Sequence, residues 1–105
     1  MSDMFGLVVK FTLEPGHEEA FDELVSALLP GIQDNEPGTL IYASHEVADA
    51  PSERVFYEMY RDKAAFEAHE EQPHVKHFLA ERAQHLESFD VDFLTLSAGK
   101  GVSAS

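Results

Sequence analysis

Five apolar side chains, Phe5, Leu7, Val9, Phe11 and Leu13, fall at every second position, with Val8, Lys10 and Thr12 between them. Alternation sustained over that length fits a strand with one buried face and does not fit a helix. Glu14-Pro15-Gly16 then supplies turn chemistry, because Pro presets its φ and Gly removes the Cβ penalty. From His17 to Leu29 the period changes to that of a helix. Ala20, Phe21, Leu24, Val25 and Leu28 make one apolar stripe that Ile32 extends, and Glu18 and Glu19 complement the helix dipole. Pro30-Gly31 is expected to kink or end this helix, since Pro30 has no N–H to give to Ser26.

Thr39 to Val47 reads as a second strand, with Ile41, Ala43, His45 and Val47 on one face and Leu40, Tyr42, Ser44 and Glu46 on the other. Ala48 to Glu53 reads as a hairpin loop longer than two residues. Arg54 to Tyr60 is a third strand, with Phe56, Glu58 and Tyr60 opposite Val55, Tyr57 and Met59. Asp62 is a good N-cap for a helix over Lys63 to Gln72. Pro73 suits the first turn of another helical segment, running to about His85 with a stripe of Val75, Phe78, Leu79, Arg82 and Leu86. Phe89 to Leu96 is a last strand, so residues 1–97 form one domain and 98–105 a tail.

The order β-α-β-β-α-β predicts an α+β, ferredoxin-like fold, a four-stranded antiparallel sheet with helices on one face. Several strands are apolar on both faces. The face away from the helices therefore needs a cover, and a second copy's sheet would supply it, which predicts a homodimer.

Composition narrows the chemistry. The 105 residues contain no Cys, which excludes disulfides, thiolate nucleophiles and Cys-ligated zinc. Seven basic against 20 acidic residues, net −13, argue against nucleic acid or an anionic membrane as partner. The start, MSDMFGLVVKF, has neither a basic n-region nor a long apolar run, so a cytoplasmic protein is expected. Phosphate-loop, dinucleotide, nucleophile-elbow and zinc signatures are absent.

Four of the six histidines lie between Glu58 and Leu86. On a helical wheel His69 falls with Asp62, Phe66 and Pro73, toward a buried face, where an imidazole stays neutral and can act as a base. The bland reading is a core-edge histidine bonded to a carbonyl. His74, just past Pro73, could face the same space. His77 and His85 read as surface residues, and His17 carries no assignment. His74 and His77 at i, i+3, with Glu70, are the minority option for a metal. His45 alternates with apolar residues on a strand and is expected to be partly buried, at a pocket or an interface. Glu58 lies among apolar strand residues and needs a partner, for which Arg61, Arg54 or a histidine is at hand. Tyr42, Tyr57 and Tyr60 suit pocket walls or ordinary packing.

Four pieces together resemble the antibiotic biosynthesis monooxygenase family of dimeric α+β barrels. They are Pro15-Gly16-His17 with Ala20-Phe21; Glu36-Pro37-Gly38-Thr39-Leu40 with Tyr42; Val55 to Glu58 with Tyr60, Asp62 and Ala65; and His69 through Pro73-His74 to Phe78-Leu79. The resemblance covers residues 4 to 97. It implies a pocket between sheet and helices in each subunit, and a cofactor-free oxidation of a small phenol or quinol by O₂. On that reading His69 is the base, with His74 the second choice. Tyr42, His45, Glu58, Tyr60, Phe66 and Phe78 contact the substrate, and no cofactor or metal is needed. The chain departs from the phenol-oxidising relatives, which use Trp and Asn near the substrate, since it has no Trp and its Asn is Asn35. The positions that serve haem-degrading relatives correspond to Leu79, His69 and Val9, all different, so haem degradation is not expected. A non-catalytic dimer binding a small molecule or haem is the rival.

Overall fold

The computed structural model describes residues 4–101. The chain forms β1 (Phe5–Leu13), α1 (Glu18–Asn35), β2 (Thr39–Val47), β3 (Ala50–Tyr60), α2 (Lys63–Glu70), α3 (Pro73–Arg82), a short 3₁₀ turn (Ala83–His85) and β4 (Leu86–Thr95). The four strands make one antiparallel sheet in the order β2-β3-β1-β4, with the helices on one face, as the ferredoxin-like pattern requires. The alternating side chains of β1 meet the α1 stripe of Phe21, Val25, Leu28 and Ile32, and Phe56, Tyr60, Val75 and Phe78 complete the core. Asp62 caps α2 by accepting from the backbone N–H of Ala65 at 2.8 Å, and Pro73 occupies the first turn of α3.

Several expectations need correction. Helix α1 does not end at Pro30 but runs on to Asn35. Ser26 and Pro30 both face solvent, so the missing hydrogen bond falls where water can replace it. Ala20 is exposed and lies off the buried stripe. The hairpin between β2 and β3 has a two-residue turn, Ala48-Asp49, with Val47 paired to Ala50. Asp49 reaches φ 64°, a left-handed conformation that Asp tolerates, and the bulge that follows shifts the register before Arg54. Helix α2 stops at Glu70 rather than Gln72, and the last strand begins at Leu86 rather than Phe89.

Two surfaces remain uncovered in the single chain. On the sheet face away from the helices, Val8, Ile41, Val55 and Tyr57 are half-buried. On the edge strand, Phe89, Val91 and Phe93 are the exposed large apolar side chains. They stand beside Phe11, Val9 and Leu7 and so extend the helix-side face past the helices. Among the described residues, no helix is long and apolar enough to cross a membrane.

Candidate active site

The site begins with a turn. At the end of α1, Glu36-Pro37-Gly38 doubles the chain back into β2, and Glu36 is 8% exposed. The turn is held by Thr39 N–H to the Glu36 carbonyl at 3.1 Å and Arg61 N–H to the Gly38 carbonyl at 2.9 Å. Gly38 is required by packing, because a Cβ there would lie 2.6 Å from the Cβ of Ala65 on α2. The turn therefore aims the Glu36 side chain inward.

Its carboxylate joins three side chains. Oε1 accepts from Thr39 Oγ1 at 2.7 Å and from His69 Nδ1 at 2.6 Å, and Oε2 accepts from His74 Nε2 at 2.5 Å. A carboxylate can only accept, so the proton of each imidazole sits on the nitrogen facing Glu36. This fixes His69 with Nδ1 protonated. Its Nε2 makes no hydrogen bond among the described residues. His69 is 4% exposed, and burial lowers its pKa below the usual 6.5 against the opposing pull of Glu36. Near pH 7 it is a neutral imidazole with a free lone pair.

His74 approaches from α3, and Gly31 lets it in. A Cβ on Gly31 would lie 2.5 Å from Cγ of the His74 ring. A helix-interior glycine costs about 1 kcal/mol against alanine, so this position gives up helix stability to admit the ring. Gly31→Ala is accordingly expected to destabilise by about 1–2 kcal/mol despite its better helix propensity, because the ring must leave Glu36. Urea unfolding measures it, and a variant as stable as the wild type would show that the ring is not wedged there.

His69 lines a cavity of about 100 Å³ between sheet and helices, with Tyr42, Glu58, Phe66, Leu79 and Arg82 among its walls. Tyr42 and Tyr60 pack their rings against the imidazole at 5.4 and 5.1 Å between centroids. Glu58 does not pair with Arg61, Arg54 or a histidine as expected. Arg54 is taken by Asp22, and Glu58 instead accepts the Tyr60 hydroxyl at 2.5 Å.

Desolvation raises the Glu58 carboxyl from 4.5 to about 7, with Tyr60 opposing the rise. Between those values the native chain holds a proton that the unfolded chain has released. Stability is therefore unaffected below about pH 4.5, declines as pH rises toward 7, and stays lowered above it. Glu58→Gln removes the titration and should stabilise the protein by about 3 kcal/mol at pH 8 with little effect at pH 4.5. Thermal melts at the two pH values test this, and equal shifts at both would contradict the assigned charge.

The residues singled out from sequence separate accordingly. Tyr42, Glu58, Phe66 and His69 line one cavity. Tyr60 stands behind Glu58, and His74 stands behind Glu36 rather than sharing the space of His69. Phe78 is a core residue, 1% exposed and stacked on Phe56. His45 is exposed, contrary to expectation, with its Nδ1 3.0 Å from the Val55 carbonyl oxygen. The i, i+3 pair does not converge on a metal, since His77 is exposed while His74 turns to Glu36. Among the described residues no group of three or more His, Asp or Glu side chains could hold a metal ion. His17 and His85, given no role and a surface role from sequence, meet with Nδ1 atoms 2.9 Å apart. Sequence reasoning missed Glu36, whose Glu-Pro-Gly setting reads only as a turn, and Arg82, which reads as one member of a helix stripe.

The profile of the antibiotic biosynthesis monooxygenases matches residues 4–81. The chain belongs to that family. A Pseudomonas aeruginosa structure is similar at 30% identity, covering 93% of this chain and 98% of that one, with a TM-score of 0.83. A Mycobacterium tuberculosis structure shares 25% identity over 91% of this chain and 97% of that one, with a TM-score of 0.83. A Lactobacillus acidophilus protein described as a candidate monooxygenase shares 26% identity over 90% of this chain, at a TM-score of 0.84, but only 45% of its own chain is covered. No curated protein matches the chain significantly. Membership in the antibiotic biosynthesis monooxygenase family supports a monooxygenase-like function.

Proposed function

We propose that the protein is a cofactor-independent monooxygenase that oxidises a small phenol or quinol with O₂, using His69 as general base. The observation that carries this reading is the state of His69. It is buried at a cavity, protonated on Nδ1 by its bond to Glu36, and left with a free Nε2.

The chemistry follows from those groups. Nε2 takes the phenolic proton, and the resulting phenolate is electron-rich enough to pass one electron to O₂. The phenoxyl radical and superoxide join at a ring carbon as a peroxide. The ring C–H proton is lost, the O–O bond breaks, and the distal oxygen leaves as water with the proton held by His69. One oxygen atom stays on the ring as a carbonyl, so a phenol and O₂ give a quinone and H₂O. The apolar walls Leu7, Val9, Phe66 and Val75 keep bulk water from the radical pair. Glu36 holds the imidazole in the productive tautomer.

The test is oxygen uptake with a panel of phenols and hydroquinones under ¹⁸O₂. The expected result is uptake together with one labelled oxygen in the product. Uptake that yields only hydrogen peroxide, or none at all across the panel, would remove this reading.

The face bearing Val8, Ile41, Val55 and Tyr57 supports a further part of the proposal, that two copies pack sheet to sheet. Light scattering behind a sizing column should give twice the chain mass, and a monomer at micromolar concentration would contradict it.

A further inference from the structure

Arg82 is a cation without an acid. Among the described residues its guanidinium makes no hydrogen bond and no ion pair. Its contacts are with the faces of Phe89, Phe11 and Phe78 at 5.0, 5.4 and 5.9 Å. In a chain with 20 acidic and seven basic residues, carboxylates are not scarce. Arg54 shows what the fold does elsewhere, binding Asp22 through two nitrogens at 2.9 Å and the carbonyls of Pro51 and Glu53 through a third. Arg82 is half-buried, and burial lowers its pKa from the usual 12.5 against the opposing pull of Tyr42, Glu58 and Glu70, none of which bonds the guanidinium. An arginine remains charged under those conditions.

Its position gives the charge a use. Arg82 and Leu79 line the cavity of about 100 Å³ and also an open groove of about 470 Å³ beside it, with Leu86, Ser88 and Phe89. The guanidinium thus borders both. Apolar cavities of about 150 Å³ admit benzene, so a cavity of about 100 Å³ takes no more than a single ring. Glu58, which lines the same cavity as Arg82, is committed to Tyr60.

We propose that the ligand is an anionic aromatic, a single ring carrying a carboxylate or similar acid group, with the ring in the cavity and the acid on Arg82 at the groove. The inference deepens the monooxygenase reading and takes from it that the ring is phenolic. A planar guanidinium offers paired N–H donors that match a carboxylate, and partial burial strengthens the contact.

The test is calorimetric titration of the full chain in oxygen-free buffer with hydroquinone and with 2,5-dihydroxybenzoate, which differ by one carboxylate. The wild type should bind the acid at least about 10-fold more tightly. Arg82→Gln should bring the two affinities to within about 2-fold, with the greater loss falling on the acid. Equal affinities in the wild type, a preference that survives in the folded variant, or no binding of either compound overturns the proposal. Binding is measured without turnover, so its failure is separable from that of the oxidation. An acid preference without oxygen uptake keeps the anion site and removes the monooxygenase, and oxygen uptake without an acid preference does the reverse.

Discussion

Glu36→Gln is expected to leave the chain folded and to slow phenol oxidation by about 10²- to 10⁴-fold. The carboxylate accepts from His69, His74 and Thr39 at once, and in doing so places the His69 proton on Nδ1. A glutamine keeps the shape but offers one carbonyl and one amide. If its NH₂ faces His69, the tautomer inverts, the proton moves to Nε2, and the base becomes a donor. If its carbonyl faces His69, the NH₂ confronts the Nε2–H of His74 and that bond is lost. The first arrangement reverses the bond to His69, and the second breaks the bond to His74. Glu36→Ala goes further and leaves buried donors without an acceptor, at a cost of about 3–5 kcal/mol. A melting point lower by more than about 10 °C would report it for a domain of this size. Ring-nitrogen NMR reads the tautomer directly, with His69 Nδ1 protonated in the wild type and the tautomer of His69 or the environment of His74 changed in the glutamine variant. A wild-type rate in Glu36→Gln would show that the carboxylate does not set the state of His69.

The same cluster shows what the sequence could and could not disclose. Alternation in β1, the Asp62 cap and Pro73 in a first turn are local signals, and each is visible within a few residues. Pro30 is a local signal too, but its effect depends on whether the unpaired Ser26 carbonyl is buried, which the tertiary fold decides. The hairpin turn was hidden because Pro51 and Ser52 read as loop chemistry, whereas Asp49 alone supplies the left-handed residue that the tight turn needs. His69 could be placed on an inward face by its spacing from Phe66. Its partner could not, because Glu36 lies 33 residues away and His74 lies 38 residues from Glu36. Nothing local distinguishes an inward Glu in a Glu-Pro-Gly turn from a solvated one. Gly31 carried a signal that could have been used, since a glycine inside a helix invites the question of what approaches it. Arg82 carried another in the charge balance, but that an abundant acid would fail to meet it is a fact of packing alone.

Removing the base itself carries the other large expected effect. His69→Gln can still donate an amide N–H to Glu36, so the network behind the site survives while the lone pair at the cavity is lost. Loss of a positioned general base lowers the rate by about 10²- to 10⁴-fold. The substrate is held by the walls and by Arg82 rather than by the imidazole, so KM should move by less than about 3-fold, and the fall should lie in kcat. The decisive measurement is therefore the rate of oxygen uptake by His69→Gln on a phenol or hydroquinone that the wild type oxidises, with the variant's fold checked by its melting curve. A folded variant at least about 100-fold slower in kcat, with KM nearly unchanged, is the predicted result. A folded variant that consumes oxygen at the wild-type rate would contradict His69 as the base.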